Sequence, residues 1–137
     1  MTWRAALAFA LAAALPAHAE TPLSAEAFEA LATGRTLSYA LENRVYGIET
    51  YRPGRRVVFA FTDQDCREGY WYQDGDYQDG DAICFVYEDP SDPQCWHYYQ
   101  RSDGLWAQFI GDDPLAPLSR VDDSQTPLAC PGPEVGV

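Results

Sequence analysis

The chain has 137 residues, and its 21 acidic side chains outnumber nine arginines, which gives a formal net charge of −12 with no lysine at all. A surface so acidic repels polyanions, so nucleic acid and anionic lipid headgroups are not expected as partners, whereas cationic partners remain open. The length fits one domain with a real but modest hydrophobic core.

The first 19 residues have the layout of a secretory signal. Arg4 precedes an apolar run at 5–15, and Ala17-His18-Ala19 places small residues before a cut at Glu20. That run is shorter than the ~20 residues that cross a bilayer, and no other stretch is apolar enough, so no membrane span is expected. Removal of 1–19 would leave 118 residues carrying 8 arginines against 21 acids, a charge of −13, in a periplasmic or secreted protein.

One short helix is predicted over 24–33. Ser24 suits the N-cap, an acid follows in the first turn, and Gly34 is placed to end the helix. Leu23, Ala27, Phe28 and Leu31 share one side. This side predicts a packing face with which the helix plugs or covers a sheet.

After Gly34 the sequence changes to short β-rich runs separated by turn residues. The predicted strands are 36–41, 46–52, 55–62, 68–73, 82–88, 94–101, 105–111 and 118–122. Regular strand–turn spacing is typical of an antiparallel meander, and eight such strands close into a small up-and-down barrel; a curled open sheet is the alternative. The β-domain is expected to occupy 20–125, followed by an irregular tail at 126–137 tethered through Cys130.

Four cysteines remain after export, and an even number in an oxidising compartment predicts two disulfides. A zinc site is disfavoured because no Cys-x-x-Cys occurs and His97 is the one histidine after residue 19. Three pairings are possible. Cys84–Cys95 across a hairpin, with Cys66–Cys130 holding the tail, is the preferred one.

An acidic loop contains a tandem repeat, Tyr-Gln-Asp-Gly-Asp at 72–76 and again at 77–81. Its aspartates do not follow the ligand spacing of a calcium-binding loop. We therefore expect a solvated acidic turn, with no metal and no cofactor.

Catalytic machinery is not evident. His97 is the one available base for a nucleophile, and it lies in an aromatic strand segment, Cys95-Trp96-His97-Tyr98-Tyr99. Paired carboxylates arise by chance among so many acids and carry little information.

Aromatic density is the unusual feature of the chain. Alternation sends Trp96 and Tyr98 to one side of their strand and His97 and Tyr99 to the other. Both faces are thus aromatic, more than a one-sided core requires. The side chains predicted to contact a ligand are Trp71, Trp96, Tyr98 and Trp106.

The motifs Gly34-Arg-Thr-Leu37, Gly69-x-Trp71, Ile83-Cys-Phe85 and Cys95-Trp96 resemble small exported bacterial proteins that form a family of unknown function. The resemblance implies export, the cysteine framework and a β-domain, and it implies no activity.

The sequence therefore favours a non-enzymatic exported binding or interaction domain with an aromatic-rich face, whose partner is an unidentified protein or small molecule. Two alternatives stay open. One is a small periplasmic hydrolase that uses carboxylates and His97, and the other is an inhibitor of a secreted enzyme.

Overall fold

The computed structural model describes residues 20–61, 65–75, 81–88 and 92–130. The predicted signal at 1–19, the tip of the acidic loop at 76–80 and the end of the tail at 131–137 lie outside the described residues. The elements are α1 (Ala25–Ala32), β1 (Thr36–Leu41), β2 (Arg44–Arg52), a 3-10 turn (Pro53–Arg55), β3 (Arg56–Phe61), β4 (Arg67–Asp74), β5 (Ala82–Tyr87), β6 (Gln94–Arg101), β7 (Gly104–Ile110) and β8 (Leu118–Asp123).

The eight strands form a closed antiparallel barrel in which each strand pairs with the next in the chain. The barrel closes where β1 pairs with β8, from Leu37 opposite Asp123 to Ala40 opposite Arg120. The mainly β, up-and-down barrel predicted from the sequence is confirmed, and the open curled sheet is excluded. Closure pairs both outer strands, so neither is left as an exposed edge.

The helix α1 plugs one end of this barrel. The Ser24 hydroxyl accepts a hydrogen bond from the Ala27 N–H at 3.2 Å, which caps the helix as expected. Phe28 is fully buried, and its ring meets Tyr98, Trp71 and Tyr51 at centroid distances of 4.3, 5.2 and 5.5 Å. We call this the plugged end, and the opposite end, which carries the β1–β2 turn and the β7–β8 loop, the mouth.

The segment before α1 lies along β6, next to the weakest seam of the barrel. There β5 and β6 pair over three positions, 83–85 with 94–96. Beyond these pairs, the Leu23 N–H donates a hydrogen bond to the Tyr98 carbonyl at 2.7 Å. The Arg101 guanidinium donates two hydrogen bonds to the Glu20 carboxylate, at 2.6 and 2.7 Å. The segment before α1 thus supplies a backbone hydrogen bond to β6 where β6 is no longer paired with β5.

Two turns determine how the first three strands connect. Glu42 and Asn43 both have positive φ, 48° and 65°, between Leu41 and Arg44, which pair directly. Positive φ at both central positions is the pattern of a two-residue hairpin turn. At the other end Gly54 (φ 74°) and Arg55 (φ 58°) turn the chain, so β3 begins at Arg56, one residue later than predicted.

Cys84 is bonded to Cys95 and Cys66 to Cys130, the pairing preferred in the sequence analysis. Cys84 and Cys95 lie directly opposite each other on β5 and β6, so their disulfide staples the short seam. The second disulfide joins the chain just before β4 to the tail across 64 residues. The described part of the chain contains no helix with the length and apolar character that crossing a bilayer requires.

Candidate functional site

A small cavity of about 60 Å³ lies inside the barrel at the mouth. Ten residues line it: Tyr39, Tyr46, Glu49, Phe59, Phe61, Phe85, Tyr87, Gln94, Trp96 and Tyr98. Two of them, Phe61 and Gln94, are exposed, so the cavity reaches the surface between β3 and β6. A buried water needs roughly 10–15 Å³ of such space, so the cavity holds about five waters or one small chemical group.

A β-bulge aims Tyr46 into the cavity. Tyr39 pairs with Gly47 and Ala40 with Val45, which leaves Tyr46 as the extra residue on β2. The extra residue of a bulge departs from strict alternation and redirects its side chain. The Tyr46 hydroxyl lies 2.7 Å from the hydroxyl of buried Ser119 on β8, the strand on the other side of β1.

Glu49 is the one carboxylate that the described residues contribute to this cavity. Its side chain faces inward from β2 and is 3% exposed. The Tyr51 hydroxyl donates to one carboxylate oxygen and the Tyr87 hydroxyl donates to the other, each at 2.8 Å. Burial raises the pKa of Glu49 from 4.5 to about 7, against the two hydrogen bonds, which act to lower it. Each oxygen keeps further acceptor capacity.

A relay of tyrosine hydroxyls runs to Glu49 from the opposite wall. The Tyr39 hydroxyl lies 2.5 Å from that of Tyr51 and 2.8 Å from that of Tyr98. A phenol has one proton, and Tyr51 gives its proton to the carboxylate. Tyr39 must therefore donate to Tyr51, and Tyr98 to Tyr39, so all three protons point towards Glu49.

These tyrosines keep their protons at every pH at which the protein would be studied. Burial is the largest cause that raises the pKa of Tyr39, Tyr51, Tyr87 and Tyr98 far above the ordinary value of a phenol, and the nearby Glu49 charge raises them further. The group that can change its charge in this network is Glu49.

Aromatic rings form the walls around the carboxylate. Phe85 and Tyr87 are nearly parallel, with ring centroids 6.4 Å apart and an interplanar angle of 8°. Phe59 meets Tyr87 at 5.8 Å, and Tyr39 meets Trp96 at 6.4 Å. Within the described residues, a small molecule in the cavity would thus meet aromatic side chains, some of which carry hydroxyls, together with one carboxyl and the Gln94 amide.

The structure brings two of the four predicted ligand-contacting residues to this site. Trp96 and Tyr98 line the cavity, as alternation on β6 requires. Trp71 is buried at the plugged end against Phe28, with the Arg55 guanidinium 4.5 Å from its ring centre. Trp106 lies on the outer wall, where its indole N–H donates to Asp103 at 3.0 Å.

His97 also lies apart from the cavity. It alternates with Trp96 and Tyr98 on β6 and is buried on the outward side of the strand, where its ring is 6.2 Å from that of Tyr99. No group of three or more His, Cys, Asp or Glu side chains gathers into a metal-binding arrangement in the ranges that the structure describes.

Sequence reasoning missed Glu49, which is the polar centre of the site. A signal for it was present, because Glu49 shares the inward parity of Gly47 and Tyr51 on a strand that runs into the barrel wall. An acid at an inward position is costly to bury and therefore informative.

Fold and cavity together define a class, a small closed antiparallel barrel that is plugged at one end and holds a carboxylate in an aromatic cavity near the other. No protein-family model matches the chain, and neither the curated proteins nor the solved structures compared with it give a match.

Proposed function

We propose that this protein is a non-enzymatic, exported binding domain that takes a small molecule, or the end group of a larger one, into the aromatic cavity at its mouth. The single observation that carries the proposal is a cavity of about 60 Å³ that is walled by rings and reaches the surface beside Phe61 and Gln94. Concave, largely apolar sites with a few polar groups are where proteins bind small ligands.

Cavity size limits what can enter. Pockets that enclose a whole drug-sized molecule measure roughly 300–1,000 Å³. A volume of about 60 Å³ admits a group of a few non-hydrogen atoms, with any remainder left at the rim. The part of a larger ligand that stays outside the cavity could pack against the exposed side chains of Phe61 and Phe109 at the mouth.

Export agrees with the same proposal. The signal-like segment at 1–19 and the two disulfides point to a periplasmic or secreted protein, because thiols pair stably in an oxidising compartment. The resemblance to small exported bacterial proteins supports this location as well.

Trp96 provides the test, because it is the tryptophan that lines the cavity. Residues 20–137 should be titrated with short-chain amines, alcohols and carboxylates while tryptophan emission is recorded. We expect at least one class to give a saturable change that is lost in Trp96→Phe and kept in Trp106→Phe, the matched control on the outer wall.

Two results would contradict the proposal. One is the absence of a saturable response to any class, both in emission and in the amide NMR spectrum. The other is a change in tryptophan emission that persists in Trp96→Phe, because the molecule would then be acting on a tryptophan outside the cavity.

A further inference from the structure

Glu49 is buried and forms no ion pair with any of the described residues. Other carboxylates have arginine partners: Asp123 pairs with Arg35, Glu29 with Arg55, and Glu20 with Arg101. Glu49 has two tyrosine hydroxyls instead. A buried carboxylate that receives neutral hydrogen bonds is less compensated than one paired with a positive charge.

The cavity beside Glu49 is suited to a positive group. Aromatic faces are negative at their centres and attract cations that approach within about 6 Å. Phe59, Phe85 and Trp96 are among the aromatic residues that line the space bordered by Glu49. Each Glu49 oxygen accepts one hydrogen bond from a tyrosine and can accept another from an N–H group.

Charge is distributed unevenly between the two ends of the barrel. Six of the eight described arginines lie at the plugged end: Arg35, Arg52, Arg55, Arg56, Arg101 and Arg120. The mouth has two, Arg44 and Arg67, and its turns and loops carry six acids: Glu42, Asp65, Glu88, Asp92, Asp112 and Asp113. The plugged end has eight acids against its six arginines, a charge of 6 − 8 = −2, compared with 2 − 6 = −4 at the mouth. An opening surrounded by acidic groups draws in cations and repels anions.

From these three observations we infer that the group which enters the cavity is a protonated primary amine, which hydrogen-bonds to Glu49 and lies among the aromatic rings. The inference rests on the proposed function, since it names the chemistry of the molecule that the cavity takes. A quaternary ammonium ion fits less well because it has no N–H to give to the carboxylate oxygens.

Three probes of equal chain length test the inference: n-butylammonium, 1-butanol and butyrate. Titrations at pH 8, where Glu49 is ionised given its pKa of about 7, would be followed by Trp96 emission and amide NMR. We expect butylammonium to bind at least ten-fold more tightly than 1-butanol and butyrate to bind most weakly. Glu49→Gln should reduce the preference for butylammonium over 1-butanol to less than three-fold.

A second pair of variants adds the same positive charge at either end of β6. Gln94 and Gln100 are both exposed on β6, the first at the mouth and the second at the plugged end. Gln94→Arg should weaken butylammonium binding several-fold, whereas Gln100→Arg, which adds the same charge, should have little effect.

The outcomes separate the two proposals. If 1-butanol or butyrate binds as tightly as butylammonium, or if Glu49→Gln keeps the full preference, the amine inference is overturned and the binding function stands. If tetramethylammonium binds more tightly than butylammonium, the cavity selects cations without an N–H contact and the primary amine is wrong. If none of the probes binds, the proposed function fails first and the inference with it.

Discussion

Glu49 should make the stability of this protein depend on pH in a direction opposite to that of most surface acids. In the folded barrel its pKa is about 7, whereas its ordinary value is 4.5. Between those values the folded protein holds a proton that the unfolded chain has released. Stability therefore falls as the pH rises from 4.5 to about 7, and this contribution is constant above pH 7.

The magnitude follows from the difference between the two pKa values. At about 1.4 kcal/mol per pH unit, the free energy of unfolding should drop by about 3 kcal/mol across this window. The tyrosines that face Glu49 keep their protons throughout, so they add nothing of their own to the slope. Glu49→Gln keeps the shape of the neutral acid and removes the titrating proton, so it should abolish this contribution.

Urea unfolding at pH 5, 6, 7 and 8, with the disulfides intact, measures the effect. The quantity of interest is the free energy of unfolding of the wild type minus that of Glu49→Gln at each pH. The contributions of the other acids are equal in the two proteins and cancel in this difference. For a slope of about 1–3 kcal/mol per molar urea, 3 kcal/mol moves the midpoint by about 1 M or more. Glu42→Gln, an exposed change in the β1–β2 turn, is expected to follow wild type. A difference curve that is flat, or that rises with pH, would refute the reasoning.

Other predictions concern the plug and the staples. Phe28→Ala removes a fully buried ring at the plugged end and should lower the free energy of unfolding by about 3–5 kcal/mol. The control Phe109→Ala changes a side chain that is 40% exposed at the mouth. In the same urea experiment it should lower the free energy of unfolding by about 1 kcal/mol or less. Replacing both cysteines of the 64-residue Cys66–Cys130 bridge by alanine should cost about 4 kcal/mol. The same change at the 11-residue Cys84–Cys95 bridge should cost roughly 3 kcal/mol, and thermal unfolding showing the reverse order would contradict the loop-entropy argument.

The strands were predictable because their signals are local. Alternating apolar side chains and turn residues place all eight within one or two residues of their observed ends, and Ser24 and Gly34 mark the helix. Closure is different, because it depends on the pairing of β1 with β8 between residues at least 80 positions apart. A pattern read in short windows leaves closed and open sheets equally possible.

The site was only half predictable. Strict alternation placed Trp96 and Tyr98 together, and both line the cavity. Trp71 and Trp106 were grouped with them on composition alone; Trp71 lies deeper in the barrel, and Trp106 lies on the outer side of the wall. The bulge at Tyr46 breaks alternation where β2 enters the mouth. Glu49 was hidden among 21 acids, because nothing in composition distinguishes one buried carboxyl from many solvated ones.

Phe28 of α1 closes the end of the barrel opposite the mouth, where the cavity lies. A molecule that binds in the cavity would therefore enter and leave through the mouth. The group that enters first would be the last to leave. Long ligands would accordingly bind in a single orientation, with their tails in solvent. Attaching such a tail to a resin should leave the buried portion free to bind, so the natural ligand could be sought with immobilised baits.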